Sequence, residues 1–276
     1  MKIAFVGKGG SGKSTISWVF ANYLTENGKK VLSIDADFNQ DLLRHYAPLS
    51  LPKPLRDSDN DFYNALGIDK TTLISTFALN ANKMLFSLFP HDPYTQKYSV
   101  SLTDTHSLMT LGDHTAETTY SGRCSHSFAK ALKFYTPYLD LGPNQFVIID
   151  SVAGTDMVNF GLYLGVDAII CVVEDTPQSV GVFQKIREIE KEHAVPVFYV
   201  HNQNDAAAIE YLPKDESPLA TFPLDGALKK AQYSKISQET KKACAQLLSA
   251  LSGVIPKQNG LLKMQMWQKK RAATSP

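Results

Sequence analysis

Residues 3–28 read IAFVGKGGSGKSTISWVFANYLTENG. The apolar run 3–6 predicts a buried strand. Residues 7–12 follow as a glycine-rich loop. Residues 13–27 predict a helix with Ile16, Val19, Phe20 and Leu24 on one face, and Gly28 ends it. Residues 30–34 are a second strand, and 35–41 a polar turn at its C-terminal end. Strand, loop, helix and strand in this order open a parallel α/β sheet.

The loop fits the spacing G-x-x-x-x-G-K-[S/T] across Gly7, Lys8, Gly9, Gly10, Ser11, Gly12, Lys13 and Ser14, with Thr15 next. Glycines let backbone N–H groups turn inward around phosphate oxygens, and the helix N-terminus behind them adds partial positive charge. In such a loop Lys13 reaches the β- and γ-phosphates and Ser14 ligates Mg²⁺. The pattern therefore predicts a nucleoside triphosphate ligand, ATP, with Mg²⁺.

The strand-then-helix order returns later. Residues 145–149, 168–173, 195–200 and 219–222 are predicted strands. Residues 179–192 and 236–251 are predicted helices. Between them, 48–70 carries Pro48, Pro52 and Pro54, which exclude a central strand or a long helix. Residues 71–89 read as mostly helical, 90–107 as a polar, proline-bearing segment, 108–111 as a short strand, 112–122 as a loop and 125–139 as a helix. We expect a doubly wound, mostly parallel sheet of the P-loop NTPase type, with 1–250 as one domain. It carries a less regular insertion near 48–107 and a C-terminal extension at 251–276. Such sheets bind ligands beyond the C-terminal ends of their strands, where the phosphate loop, Asp37, Asp150 and Asn202 all fall.

The chain has 276 residues, 28 basic and 27 acidic, and a net charge of +1. That balance gives no general nucleic-acid or membrane footprint. Three separated cysteines are no disulfide framework. With no signal peptide and no long apolar run, the expected location is cytoplasmic. Cys171 and Cys244 lie in apolar surroundings and read as packing residues.

The segment KGGSGKST resembles the deviant phosphate loop of the family that contains nitrogenase iron protein, septum-site and chromosome-partitioning ATPases (MinD and ParA) and arsenite-pump ATPases. The resemblance implies an ATP-sandwich homodimer in which Lys8 reaches the partner's nucleotide. It implies that Asp37 orients the attacking water and that Asp41 is a second switch carboxylate. Either aspartate, like Asp35, could instead cap a helix or line a turn. The run FVIID at 146–150 matches the Walker B arrangement, with Asp150 holding Mg²⁺. Gly154 resembles the hinge of the second switch. Asn202 and Asp225 match positions that read or border the adenine.

Within that family the closest resemblance is to accessory ATPases that insert nickel into carbon monoxide dehydrogenase. It rests on the phosphate loop, on 150–154 and on a block around 108–132. There LMTLG at 108–112 is followed by Cys124-Ser125-His126 in place of a Cys-x-Cys pair. Across two subunits Cys124 and His126 would supply S₂N₂, a set that suits Ni²⁺ or Zn²⁺. Alternatively Cys124 is a helix-start cysteine and His126 a surface histidine. His106 and His114 lie near enough in sequence to complete a site.

The main expectation is a Mg²⁺-dependent ATPase, a nucleotide-gated dimer that delivers metal to a client metalloenzyme. The alternative is a positioning or partitioning switch acting through protein, membrane or DNA partners. Residues 261–271 mix apolar and basic side chains without a clean stripe. They read as a tail that packs on the body or on a partner, followed by a frayed basic end, with membrane contact the lesser alternative.

Overall fold

A computed structural model of the chain describes residues 1–69, 84–113, 130–159, 161–193, 195–202, 209–254 and 260–274. Strand β1 (Lys2–Gly7) leads through α1 (Lys13–Glu26) to β2 (Lys30–Ala36). Then come α2 (Asp41–Tyr46), α3 (Asp59–Leu66), β3 (Phe86–Ser87), α4 (Pro93–Tyr98), β4 (Val100–Thr103) and β5 (His106–Thr110). The chain continues through α5 (Lys130–Tyr138), β6 (Leu139–Asp140), β7 (Gln145–Ser151), α6 (Asp156–Asn159), β8 (Ala168–Val173) and α7 (Pro177–His193). It closes with β9 (Val197–Asn202), β10 (Thr221–Phe222), α8 (Gly226–Lys229), α9 (Gln238–Ser252) and α10 (Gly260–Thr274).

Eight strands form one sheet in the order β10-β9-β8-β1-β7-β2-β5-β4. Every neighbouring pair is parallel except β4 with β5. The central strands are buried on both faces, which is why they read as unbroken apolar runs rather than alternating ones. Alternation still sorts their side chains. Ala4, Val6, Leu32 and Ile34 join the core under α5, α7 and α10, while Ile3, Phe5, Val31 and Ile148 pack under α1 and α9. The sheet is therefore doubly wound, as expected. The chain leaves β1 toward β2 on one side and later crosses from β7 to β8 on the other. That reversal opens a crevice above β1.

Local differences from the sequence reading have physical causes. Of the helix expected over 71–89, residues 71–83 lie outside the described residues, and Phe86–Ser87 is a strand paired with β6. Phe86 is held by rings, with Tyr135 at 4.9 Å and Tyr94 at 5.2 Å between centroids. Tertiary packing overrides the helical pattern there. The segment 90–107 contains α4, whose signal was present: Asp92 caps Tyr94 and Thr95 N–H groups, and Pro93 occupies the first turn. Helix α5 ends at Tyr138, and Leu139 turns into β6. Strand β5 starts two residues before the expected position, at His106.

The C-terminal tail is a helix that packs on the body, with Lys263, Met264 and Gln268 buried. The Lys263 ammonium donates to the Val166 carbonyl, and Lys133 sits 3.7 Å above the Trp267 ring. Among the described residues no helix is long and apolar enough to cross a membrane.

Candidate functional site

The phosphate loop runs from the end of β1 into α1. Gly7 has φ 151°, and a Cβ there would lie 2.6 Å from the Val172 carbonyl oxygen. Gly12 has φ 90°, and a Cβ there would meet the Asn202 amide at 2.5 Å. Backbone geometry and close packing thus both require glycine at these two positions. Gly12 is also the N-cap of α1 and offers no side-chain cap, so the free N–H groups of the first turn face the crevice. The Ser11 hydroxyl is buried beside them without a hydrogen-bond partner. Gly9 and Gly10 are exposed at the loop tip, Lys8 is half-buried, and Lys13 is buried at 7% exposure.

Two acids stand side by side under the loop. Asp35 on β2 is in register with Asp150 on β7, and both are fully buried. Asp35 accepts from the Leu43 N–H at 2.8 Å and the Asp37 N–H at 3.2 Å. Burial, with Asp150 beside it, pushes its carboxyl up to about 8. Neither oxygen of Asp150 has a hydrogen-bond partner of good geometry. Burial raises its carboxyl to about 7 against the pull of Lys13 and Ser14. A buried carboxylate without a well-formed hydrogen bond is costly unless a cation meets it. Asp150, with the Ser14 hydroxyl near it, fits Mg²⁺, a cation that uses one or two carboxylates and keeps phosphates and waters as its other ligands.

Asp37 follows β2 half-buried, its Oδ1 accepting from the Asn39 N–H at 3.0 Å. Asp41 opens α2 on the surface and pairs with Arg44 at 2.7 Å. Exposure leaves that pair little energetic weight, and it leaves Asp41 free to exchange partners. Gly154, at φ 74°, donates its N–H to the Gly7 carbonyl at 2.8 Å, tying the segment after β7 to the loop's first residue.

A cleft of about 500 Å³ lies on the other side of the loop, walled by Gly10, Gly12, Thr15, Ile16, Asn202 and Leu224. Asn202 donates its amide to the Ser11 carbonyl at 2.9 Å, so β9 braces the loop. Asp225 also lines the cleft, yet its carboxylate is used within the chain. It accepts from the Ala227 N–H (2.9 Å), the Ser237 N–H (2.7 Å) and the Thr240 hydroxyl (2.7 Å). Burial opposes its ionisation, and these donors outweigh it and hold the carboxyl below the usual range. Asp225 thus shapes the wall as the cap of α8, and Pro223 and Leu224 line the cleft beside it. The sequence reading missed Ile16, Glu174, Leu228 and Lys229, which also line this cleft. Only Glu174 carried a signal, its place at the end of β8.

Cys124, His126 and His114 lie outside the described residues. His106 is 2% exposed, between the Ser33 hydroxyl at 3.0 Å and the Thr25 hydroxyl at 3.3 Å. Cys171 and Cys244 are buried free thiols, as expected. Among the described residues no group of three or more His, Cys, Asp or Glu side chains could hold a metal ion.

A family model described as the CobQ/CobB/MinD/ParA nucleotide binding domain matches residues 3–256. An uncharacterized ATP-binding protein of Methanocaldococcus jannaschii is 27% identical over 213 residues, 74% of this chain and 79% of its own length. A structure described as a plasmid partition protein from Borrelia burgdorferi, bound to AMPPNP, superposes with TM-score 0.59 at 17% identity, covering 92% of this chain and 98% of that one. The Pyrococcus furiosus cell division ATPase MinD gives 0.59 at 17%, covering 92% and 99%. The MinC:MinD complex of Aquifex aeolicus gives 0.59 at 15%, covering 94% and 98%. At these identities the structural likenesses show a shared fold, the α/β P-loop NTPase fold.

Proposed function

The chain belongs to the CobQ/CobB/MinD/ParA nucleotide-binding domain family, and we propose from that premise that it is a Mg²⁺-dependent ATPase, a nucleotide-gated homodimeric switch that positions or partitions a partner. The observation that carries the nucleotide reading is the orphaned Asp150 carboxylate beneath a glycine loop whose helix N-terminus is uncapped. One position calls for a cation and the other for an anion, next to each other.

In this reading backbone N–H groups of residues 9–15 hold the phosphates, and Lys13 balances their charge. Ser14 and Asp150 would hold Mg²⁺, which supplies further charge neutralisation at the phosphates. Asp37 orients water for attack on the γ-phosphate. Asn202, Pro223 and Leu224 border the base. Asp41 and Gly154 change partners as the switch moves. Lys8 is half-buried, its carbonyl accepting from the Ser11 N–H at 3.1 Å while its ammonium has no hydrogen bond or ion pair among the described residues, and in this reading that ammonium reaches the nucleotide of the second subunit.

The partner class follows the relatives. The solved structures named above are described as a plasmid partition protein, a cell division ATPase and a cell division protein complex. The metal ligands that delivery needs would come from Cys124 and His126, and among the described residues no group of three or more His, Cys, Asp or Glu side chains adds to them. The positioning or partitioning reading is therefore the better supported.

The test is ATP hydrolysis per subunit against protein concentration, with Lys8→Ala alongside. We expect the specific rate to rise with concentration in the wild type. In the variant it should fall at least about tenfold, as for loss of a charge-stabilising group. A specific rate independent of dilution and untouched by Lys8→Ala would reject the shared site.

A further inference from the structure

The helix α2 follows the acidic turn and packs on α1 and β2, and three side-chain or backbone hydrogen-bond contacts fasten it. The Leu43 N–H donates to Asp35 at 2.8 Å, and the Tyr46 hydroxyl shares a hydrogen bond with the Ser33 hydroxyl at 2.8 Å. The third contact is His45. Its Nε2 lies 3.0 Å from the Thr15 hydroxyl on α1, and its Nδ1 lies 2.9 Å from the Asp41 carbonyl oxygen. Both flanking residues, Gln40 at φ 56° and Ala47 at φ 41°, are non-glycine residues in the left-handed region. α2 is thus a short rigid block held between two strained joints.

Donor chemistry fixes how His45 works. A carbonyl only accepts, so Nδ1 must carry the proton and donate to Asp41. In the neutral ring Nε2 is then bare and accepts from the Thr15 hydroxyl. One tautomer makes both bonds. The Trp18 ring meets the imidazole edge-on, 5.5 Å between centroids and 73° between planes, and limits its rotation. Burial keeps the ring neutral by lowering its affinity for a proton. Thr15 lines the nucleotide cleft and follows Ser14, whereas Asp41 opens α2 four residues after Asp37.

We propose that His45 is a positioning residue that locks α2 to the phosphate-loop helix, so that Asp37 and Asp41 stay aligned with a triphosphate held by the loop. This rests on the reading that residues 7–15 hold a nucleotide. His45 touches neither nucleotide nor Mg²⁺ in this scheme and acts only through Thr15 and the Asp41 carbonyl. Its loss therefore weakens hydrolysis, which needs the acidic turn in place, more than binding, which the loop supplies.

The experiment uses the full chain with His45→Ala, His45→Gln and Lys13→Ala. It measures equilibrium binding of a fluorescent ATP analogue with Mg²⁺, steady-state hydrolysis and thermal melting. With two hydrogen bonds removed, kcat of His45→Ala should fall about tenfold. Affinity for the analogue should move by less than about threefold. His45→Gln can present a side-chain carbonyl oxygen near the Nε2 position and should recover most of the loss. Unchanged kcat in His45→Ala would overturn the proposal. So would kcat, affinity and melting temperature all falling together without rescue by His45→Gln, because that pattern marks packing against Trp18. If the wild type neither binds nor hydrolyses ATP and Lys13→Ala matches it, the nucleotide reading itself fails and takes this proposal with it. That outcome is distinct from the other two.

Discussion

At the scale of single residues, a side chain's neighbours decide its chemistry, and His106 shows it best. Its sequence position suggested a reserve metal ligand near Cys124. The fold instead seals it at the start of β5, with the Tyr46 ring edge-on at 5.1 Å. Burial lowers its pKa from 6.5 to about 4. The unfolded chain then takes up a proton at higher pH than the folded one. The stability due to a neutral His106 is complete above about pH 6.5 and is lost as pH falls toward 4, by on the order of 3 kcal/mol. Thermal melts from pH 7.5 to 4.5 should show a steeper decline for the wild type than for His106→Gln. Comparing the two cancels the opposite drift from Asp35 and Asp150, whose raised values favour the folded state as pH falls. Parallel slopes would reject a buried neutral imidazole. Lys13 and Asp150 were legible in the sequence because motif spacing and a strand end mark them. Asp35 was only half-legible: its register with Asp150 is a tertiary fact that no local pattern encodes.

At the scale of elements, long central strands announced themselves and short peripheral ones did not. β1, β7 and β8 are branched apolar runs bounded by polar turns. β3 is two residues long and exists because Phe86 belongs to a cluster of rings. α10 is subtler. Its buried positions include Lys263 and Gln268 as well as Met264, so no apolar stripe appears on a helical wheel even though one face is covered. The ammonium of Lys263 is satisfied by the Val166 carbonyl, a partner that sequence reading has no means to supply. Two methionines on this helix test which face it presents. Met264 is fully buried and Met266 is 41% exposed. Met264→Ala should lower unfolding free energy by about 2–4 kcal/mol. Met266→Ala should change it by less than about 0.5 kcal/mol. Denaturant titration distinguishes them, and equal effects would mean that α10 does not dock on the body in this register.

At the scale of the whole molecule, the proposed dimer raises the question of whether its two copies would share a metal as well as nucleotide. The doubly wound sheet gathers the ends of β1, β2, β7, β8 and β9 at one crevice, which is why the phosphate loop, Asp37, Asp150 and Asn202 come together although up to 195 residues separate them in the chain. This much of the site was legible because strand-end placement is a rule of the architecture. A metal shared between subunits follows no such rule. If one chain supplies Cys124 and His126, a four-ligand site takes both copies and holds one ion per two chains. Under the positioning or partitioning reading, protein purified without an affinity tag should carry less than about 0.1 nickel or zinc per chain, far under the half equivalent that a shared tetrahedral site demands. Elemental analysis of the wild type and Cys124→Ser, each with and without ATP and Mg²⁺, measures it. About half an equivalent that appears in the wild type and vanishes in Cys124→Ser would restore metal delivery. Hydrolysis adds an independent arm. If the switch serves a positioning partner, Cys124→Ser leaves the concentration-dependent rate intact, because nothing in the phosphate loop, the acidic pair or α2 depends on a thiolate.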